Sequence, residues 1–446
     1  MGSEKINLST KLVSGLFWVL LANLIVKPFW ILGIEVGVQN AVGNQAYGFY
    51  AALFSFSYIF NILLDLGITN FNTRNIAQHP QLIGKHLSGI LGFKILLFGL
   101  YLVVTFTVGL LIGYGSDEFR LLALLTICQF LSSLILYLRS NFEGLLLFKW
   151  DSLFSVLDRI LMIIICGFLL WGPRFSLFTF NFTIYHFVYA QLAAYVITTV
   201  LALVVIARKT QFRVLRWDYR FFLVILRKSV PFALLVLLMA SYNRIDPILL
   251  RRLDSDAAAG VYAGAFRLLD ALTTVAYLVS VPLLPVFSRL CHDKASVSGI
   301  VRIVFWPMMI FAIGSSVICS VMAGPLMELL YHEGGVDYVP VFRVLIFGII
   351  PSGMTYIFGT LLTAGGHLKQ LNIFAASSLA LNITTNLLLI PSLGAVGSSW
   401  ASLSTQTFMA VAQLALALRL FRLPMRTFLP PSPRDVTNFV KQLIKQ

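Results

Sequence analysis

Long continuous apolar runs, separated by short polar segments, recur along the whole chain. Twelve of them approach or exceed the roughly 20 residues that a helix needs to span a bilayer. They cover 12–36, 49–68, 86–112, 121–138, 152–171 and 184–207, then 229–250, 260–287, 301–322, 339–364, 371–390 and 395–418. The runs do not alternate between polar and apolar positions, which excludes an outer-membrane strand barrel. The pattern predicts an all-α polytopic membrane protein of twelve transmembrane helices in two six-helix bundles. An N-terminal lobe at 1–207 and a C-terminal lobe at 229–418 are joined by a linker at 208–228, with a tail at 419–446.

Composition agrees with lipid as the solvent. Of 446 residues, 59% are hydrophobic and 11% charged, against about 45–50% and about 25% in soluble domains. Mean hydropathy is +0.88. These values exclude a soluble enzyme, a secreted disulfide scaffold and a disordered chain. Cys128, Cys166, Cys291 and Cys319 form no CxxC or Cys/His cluster, so they are expected to be small apolar residues with no disulfide or metal role. The first run is too long for a cleavable signal core and is expected to act as an anchor.

Charge then fixes an orientation. The formal net charge is +15, and most basic residues sit in the short loops. One face collects 22 Lys and Arg, including Arg74, Lys85, Arg139, Lys149 and Lys369, while the other has Arg120, Arg174, Arg251 and Arg252. The positive-inside rule puts both termini in the cytoplasm and removes the need for a nucleic-acid partner. Trp217, Tyr219, Phe221 and Phe222 accompany the charges of the linker, which suits an anionic lipid surface.

The halves resemble each other. Gly48-Phe49-Tyr50-Ala51 opens one helix and Gly260-Val261-Tyr262-Ala263 opens its counterpart, 212 positions on. Phe71-Asn72-Thr73-Arg74 is matched by Val286-Phe287-Ser288-Arg289 at an offset of 215. Six helices per half give both copies the same orientation, which predicts a pseudo-twofold along the membrane normal.

Ionisable residues inside the apolar runs are the anomaly that points to function, because each costs about 2.5–3.5 kcal/mol on insertion scales. Lys27 precedes Pro28, Asp158 adjoins Arg159, Arg244 and Asp246 flank one residue, and Arg267 and Asp270 share a helix face. Asp65 lies near a helix end. A water-filled cavity between the halves would let Lys27, Arg159, Arg244 and Arg267 hold an anionic substrate, with arginine suited to phosphate. Asp65, Asp158, Asp246 and Asp270 are candidates for ion coupling or for salt bridges, Arg267 with Asp270 among them. The near balance of signs leaves both readings open. Asn61, Gln129, Ser132, Ser133, Asn382, Asn386, Ser398, Ser399, Ser402 and Ser404 suit interhelical hydrogen bonds or a sugar lining. The chain has no Walker lysine motif, HExxH or Gly-x-Ser-x-Gly, so no catalytic site, cofactor or metal is expected.

The stretch 46–74 (AYGFYAALFSFSYIFNILLDLGITNFNTR) resembles the second-helix signature of bacterial polysaccharide flippases, with Tyr47-Gly48, Asp65-Leu66-Gly67 and Arg74 at its marks. Residues 382–399 (NITTNLLLIPSLGAVGSS) are similar to that family's turn between its last two helices. The family belongs to the multidrug/oligosaccharidyl-lipid/polysaccharide exporter (MOP) superfamily. The resemblance implies a transporter that moves undecaprenyl-diphosphate-linked oligosaccharide across the bacterial inner membrane by alternating access, for O-antigen or capsule synthesis. It also implies a proton or sodium gradient as the drive, and other membrane proteins of polysaccharide assembly as partners beside membrane lipids. The alternative within the superfamily is a multidrug cation antiporter. A lipid II flippase usually carries two further helices. From another class, a membrane-embedded polymerase or glycosyltransferase needs a larger loop with paired carboxylates, which Glu328, Glu333 and Asp337 match poorly.

Overall fold

The computed structural model describes residues 25–430 except 27, 79–80, 82, 173–180, 210–218, 281–282, 291–293, 333–334 and 429. Most of the expected first span, part of the expected linker and the end of the tail lie outside the described residues, as do Lys27 and Cys291. Every regular element among the described residues is helical. The chain divides into two units, Met1–Leu237 and Leu238–Gln446. The first contains α1 (Val36–Ile59), α2 (Ile68–Gln78), α3 (Ile83–Leu111), α4 (Ser116–Gly144), α5 (Phe148–Trp171) and α6 (Ile184–Lys209), and most of α7 (Tyr219–Arg244). The second contains α8 (Asp246–Leu253), α9 (Asp256–Ser280), α10 (Leu283–Leu290), α11 (Lys294–Val321), α12 (Ala323–Leu330), α13 (Gly335–Leu345), α14 (Ile349–Ala364) and α15 (Leu368–Phe421). Helix α7 begins inside the segment expected to be a linker, because no glycine or proline interrupts the chain between Tyr219 and Val230.

Among the described residues, nine helices are long and apolar enough to cross a membrane. The number is ten if Phe232–Arg244 and Asp246–Leu253, bent by 43°, form one broken span. Pro247 in the first turn of α8 explains that break: it has no N–H to continue the ladder of α7.

Two of the long helices reverse direction. A straight α15 of 54 residues would be about 80 Å long, far beyond a hydrocarbon core of about 30 Å. At Gly394 the backbone takes φ 54° and ψ −132°, a conformation open to glycine and strained for other residues. Beyond the turn the legs touch: a Cβ on Gly397 would fall 2.4 Å from the Leu389 carbonyl oxygen. In the first unit the break is at Gly43 (φ 78°, ψ 167°). Trp30 before it and Tyr50 after it both contact the ring of Phe187, at 6.1 and 5.3 Å. Twenty residues of straight helix would hold them about 30 Å apart.

A hydrogen-bonded turn occurs in both units. After α4, the amides of Leu145, Leu146 and Leu147 donate to the carbonyls of Asn141, Glu143 and Phe142 at 3.0, 3.0 and 2.8 Å. After α14, Gly365, Gly366 and His367 donate to Leu361, Thr363 and Leu362 at 3.0, 3.1 and 2.9 Å. Leu146 and Gly366, 220 positions apart, both hold the left-handed conformation that ends many helices.

Helix α4 is the axis of the first unit and packs against α1, α2, α5 and α6. Asp117 and Glu118 in its first turn face the positive end of the helix dipole, and Glu118 accepts from the Gly115 amide at 3.0 Å. Leu87, Ile90, Leu97, Leu138 and Phe154 form part of the apolar core beside it. Within that core, Lys94 of α3 has no exposed side-chain surface. Its ammonium pairs with Asp65 at 2.9 Å and donates to the Leu64 carbonyl at 3.1 Å and the Ser133 hydroxyl at 2.9 Å. Asp65 also accepts from the amide and hydroxyl of Thr69. One cation thus ties α3 and α4 to the segment linking α1 to α2. Asn61 with Gln129 (2.7 Å) and Asn72 with Ser140 (2.8 Å) add neutral ties between the same elements.

In the second unit the hairpin of α15 packs against α8, α9, α13 and α14. Cys128 and Cys166 are buried and Cys319 partly so, each as a free thiol.

Removing one partner of a buried pair strands the other, at about 3–5 kcal/mol when burial is complete. Lys94→Met is therefore expected to lower the thermal midpoint of the detergent-solubilised protein strongly. Adding Asp65→Leu should recover much of the loss, as measured by thermal unfolding of the single and double variants.

Candidate functional site

Each unit holds its own cluster of embedded polar groups. In the first, the cluster forms around Arg159 of α5, and its other members come from α6 and from Trp30–Glu35, a π-helical turn ahead of α1. Such turns are concentrated at functional sites. The Arg159 guanidinium lies 5.3 Å from the ring centroid of Trp30, a cation–π distance. Its Nε is 3.7 Å from the Asp158 carboxylate, and it hydrogen-bonds Tyr195, with Glu35 also within electrostatic reach. Tyr195 accepts from the Gln191 amide at 3.2 Å, and the Trp30 indole donates to Glu35 at 3.2 Å. Arg159 keeps 30% of its side chain exposed and Asp158 15%.

In the second unit, Arg244 at the end of α7 lies 5.9 Å from the ring centroid of Phe266. It approaches Asp270 at 3.9 Å, with 29% and 53% of the two side chains exposed. The expected pairing of Arg267 with Asp270 is not the one found: Asp270 of α9 faces Arg244 at the end of α7, where the chain bends into α8. Arg267 turns the other way. It is 6% exposed and donates to the Tyr331 hydroxyl at 3.1 Å, which itself donates to the Gly264 carbonyl at 3.0 Å. Tyr331 stacks on Tyr338 with centroids 4.0 Å apart. Arg267 is thus built into the packing of α9 against the residues that follow α12.

Asp246 occupies a third environment. It is fully buried and lies in the first turn of α8, where the helix dipole favours a negative charge. The Tyr262 hydroxyl donates to it at 2.6 Å, and the side-chain amides of Asn382 and Asn386 donate at 3.0 and 2.8 Å. Ser402, on the other leg of α15, also hydrogen-bonds it. These four partners are neutral, and Asn386 Oδ1 beside them is buried without a hydrogen-bond partner.

The sequence candidates therefore separate into three settings. Asp65 belongs to the Lys94 tie and Arg267 to packing. Asp246 sits in a neutral polar cage. Asp158 with Arg159, and Arg244 with Asp270, form partly open pairs. Lys27 lies outside the described residues. Sequence pattern passed over Lys94, although it carries the same signal as the others, an ionisable residue inside an apolar run. The roles of Trp30, Tyr195, Tyr262 and Tyr331 had no sequence signal, since aromatic residues are common throughout the apolar runs.

The pairs differ in tightness. Arg139 with Asp151, Arg251 with Asp256 and Lys94 with Asp65 lie at 2.7, 2.7 and 2.9 Å, the range of charge-assisted hydrogen bonds. Arg159 with Asp158 and Arg244 with Asp270 lie at 3.7 and 3.9 Å, beyond it. At the loose pairs the acid offsets the arginine's charge without forming a close hydrogen bond to it.

Similarity to known proteins agrees with this fold. The lipid II flippase MurJ, in an inward closed conformation, superposes with a TM-score of 0.69 at 14% identity, over 92% of this chain and 90% of that one. An inward-facing multidrug resistance MATE family transporter of the MOP superfamily gives 0.66 at 14% identity, over 88% and 94%. The Vibrio cholerae MATE transporter VcmN gives 0.59 at 18% identity, over 96% and 100%. At these identities the likeness is one of fold. No curated protein matches the chain. The family described as "Polysaccharide biosynthesis protein" matches residues 12–291, well over half of the sequence, and the chain belongs to that family.

Proposed function

We propose that this protein is a flippase that carries undecaprenyl-diphosphate-linked oligosaccharide repeat units across the bacterial inner membrane, for O-antigen or capsule assembly. The observation that carries the reading is the loose pairing of Arg159 and Arg244, each over an aromatic ring and each partly exposed. A diphosphate needs planar, bidentate donors in a site of low dielectric. Two arginines whose acids stand at 3.7 and 3.9 Å supply such donors. Membership of the polysaccharide biosynthesis family and the likeness to a lipid II flippase support the substrate class. Lys27 joins them in this proposal as a further cation.

Several finer features belong to the same proposal. Reversal at Gly43 and Gly394 and the break at Ile245 support twelve crossings. The turns at Leu146 and Gly366 support two repeats in one orientation. The loop charges support cytoplasmic termini. Asp246 is the group through which a proton or sodium gradient would act, its cage supplying several oxygen atoms around a single carboxylate.

A multidrug cation antiporter is the second reading, favoured by the 53% exposure of Asp270 and by the likeness to MATE transporters. The two readings separate in a deletion strain. The flippase reading predicts lipid-linked repeat units accumulating on the cytoplasmic leaflet and loss of surface glycan, read by glycan staining. Unchanged glycan with new sensitivity to cationic dyes would favour the antiporter.

The individual arginines separate as well. Arg159→Gln and Arg244→Gln are each expected to reduce glycan export about tenfold or more at unchanged protein level, since a charge-assisted contact is worth about 1.5–3 kcal/mol. Arg267→Ala should instead lower the amount of folded protein, because it opens a buried contact. Export assays normalised to immunoblots would show both effects.

A further inference from the structure

Helix α1 and the 3₁₀ turn that continues it, Phe60–Leu64, carry one stripe of aromatic and amide residues. Tyr47, Tyr50, Phe54, Tyr58, Asn61 and Asp65 follow one another at steps of three or four, which places them on one face. The rings form a continuous ladder: Tyr47 to Tyr50 at 5.6 Å, Tyr50 to Phe54 at 5.7 Å and Phe54 to Tyr58 at 6.0 Å, the last two stacked at interplanar angles of 29° and 28°. Exposure grows along the ladder, from 6% at Tyr50 to 39% at Tyr58. Beyond Tyr58 stand the Asn61–Gln129 amide pair and Asp65, whose side chain is 25% exposed.

This face is not a lipid surface. A stripe against acyl chains has no use for an amide pair and a carboxylate, each of which would lose hydration there. At its other end Tyr50 contacts Phe187, which stacks on Trp30, the ring that carries Arg159. The stripe therefore runs from one embedded ionic group to another, as the wall of a water-filled space would.

The second unit repeats it. At the offset of 212 that relates Tyr50 to Tyr262, Phe54 corresponds to Phe266, Tyr58 to Asp270, Asn61 to Thr273 and Asp65 to Tyr277. Tyr262 and Phe266 stack at 5.9 Å, Phe266 carries Arg244, and Tyr277 lies 5.8 Å from Tyr356. Each unit thus presents stacked rings, hydroxyl-seeking groups and one arginine held over a ring.

We propose that the stripe ending in Tyr58, Asn61 and Gln129 is a carbohydrate-binding surface, with Tyr58 as the stacking platform for a sugar ring and the amide pair as the hydroxyl contact. The proposal rests on the flippase reading and assigns the sugar part of the substrate to this stripe, leaving the diphosphate to the arginines. A pyranose offers a face of polarised C–H bonds, which an aromatic ring attracts through its electron-rich face. It also offers a rim of hydroxyls, for which side-chain amides supply both donors and acceptors. An organic cation would also favour the rings, but Arg159 at the other end of the stripe repels it. The replacement of Tyr58 by Asp270 in the second copy makes the two stripes unequal, one apolar and stacking and the other a hydroxyl acceptor.

The test uses purified full-length protein in detergent and two probes. One is the lipid-linked oligosaccharide fraction extracted from a strain lacking the protein; the other is undecaprenyl diphosphate, which differs from it by the glycan. Binding is read by quenching of tryptophan fluorescence for wild type, Tyr58→Leu and Tyr58→Phe. Leucine keeps the site apolar and, at a position 39% exposed, should leave folding intact, which a melting curve checks. The expected result is that wild type prefers the glycan-bearing lipid and Tyr58→Leu weakens its binding about tenfold, the effect of roughly one aromatic contact. Undecaprenyl diphosphate binding should be unchanged, and Tyr58→Phe should restore the preference. Equal weakening of both probes, or no weakening of either, would overturn the proposal. Wild type that binds both probes equally well sinks the stripe and spares the flippase reading. Wild type that binds neither removes both.

Discussion

An ammonium group with no exposed surface sets the terms for this protein. Lys94 lies inside an apolar helix and survives there because Asp65, a backbone carbonyl and a serine hydroxyl surround it. Within hydrocarbon every charge must be matched by a partner or by water. That constraint sorts the embedded ionic groups of both units. Pairs at 2.7–2.9 Å, such as Lys94 with Asp65 and Arg139 with Asp151, are closed and hold helices together. Pairs at 3.7–3.9 Å are partly exposed and lie beyond hydrogen-bonding distance. Among the described residues, Asp246 is matched by neutral donors, the Tyr262 hydroxyl and the amides of Asn382 and Asn386.

How far the sequence discloses this follows from which signals are local. Helices and breaks were legible, because apolar runs and Pro247 are local patterns. The reversals at Gly43 and Gly394 were legible as gaps between runs, although each falls inside what is otherwise continuous helix. Partner choice was not legible. Arg267 and Asp270 share a helix face, yet the bend at Ile245 brings Arg244 to Asp270 and leaves Arg267 to Tyr331. Three positions on one helix are visible in sequence, whereas an approach between helices depends on their crossing. The same reason hid the tie between Lys94 and Asp65 and the gathering of Asn382, Asn386 and Ser402 on Asp246.

The matched Gly48–Ala51 and Gly260–Ala263 motifs meet different surroundings in the two units. Tyr50 and Tyr262 stand at equivalent positions, but Tyr262 donates to a buried carboxylate while Tyr50 joins an aromatic ladder.

The central claim is that the acids beside Arg159 and Arg244 are loose counter-charges that an anionic ligand displaces. The most direct measurement is the affinity of the purified protein for undecaprenyl diphosphate, compared between wild type and Asp158→Asn, with a melting curve for each. The account predicts severalfold tighter binding in the variant at an unchanged melting temperature, since removal of the neighbouring negative charge leaves the arginine's field to the ligand. Unchanged affinity together with a clear loss of thermal stability would contradict it, and would make Asp158 and Arg159 a structural pair like Lys94 and Asp65.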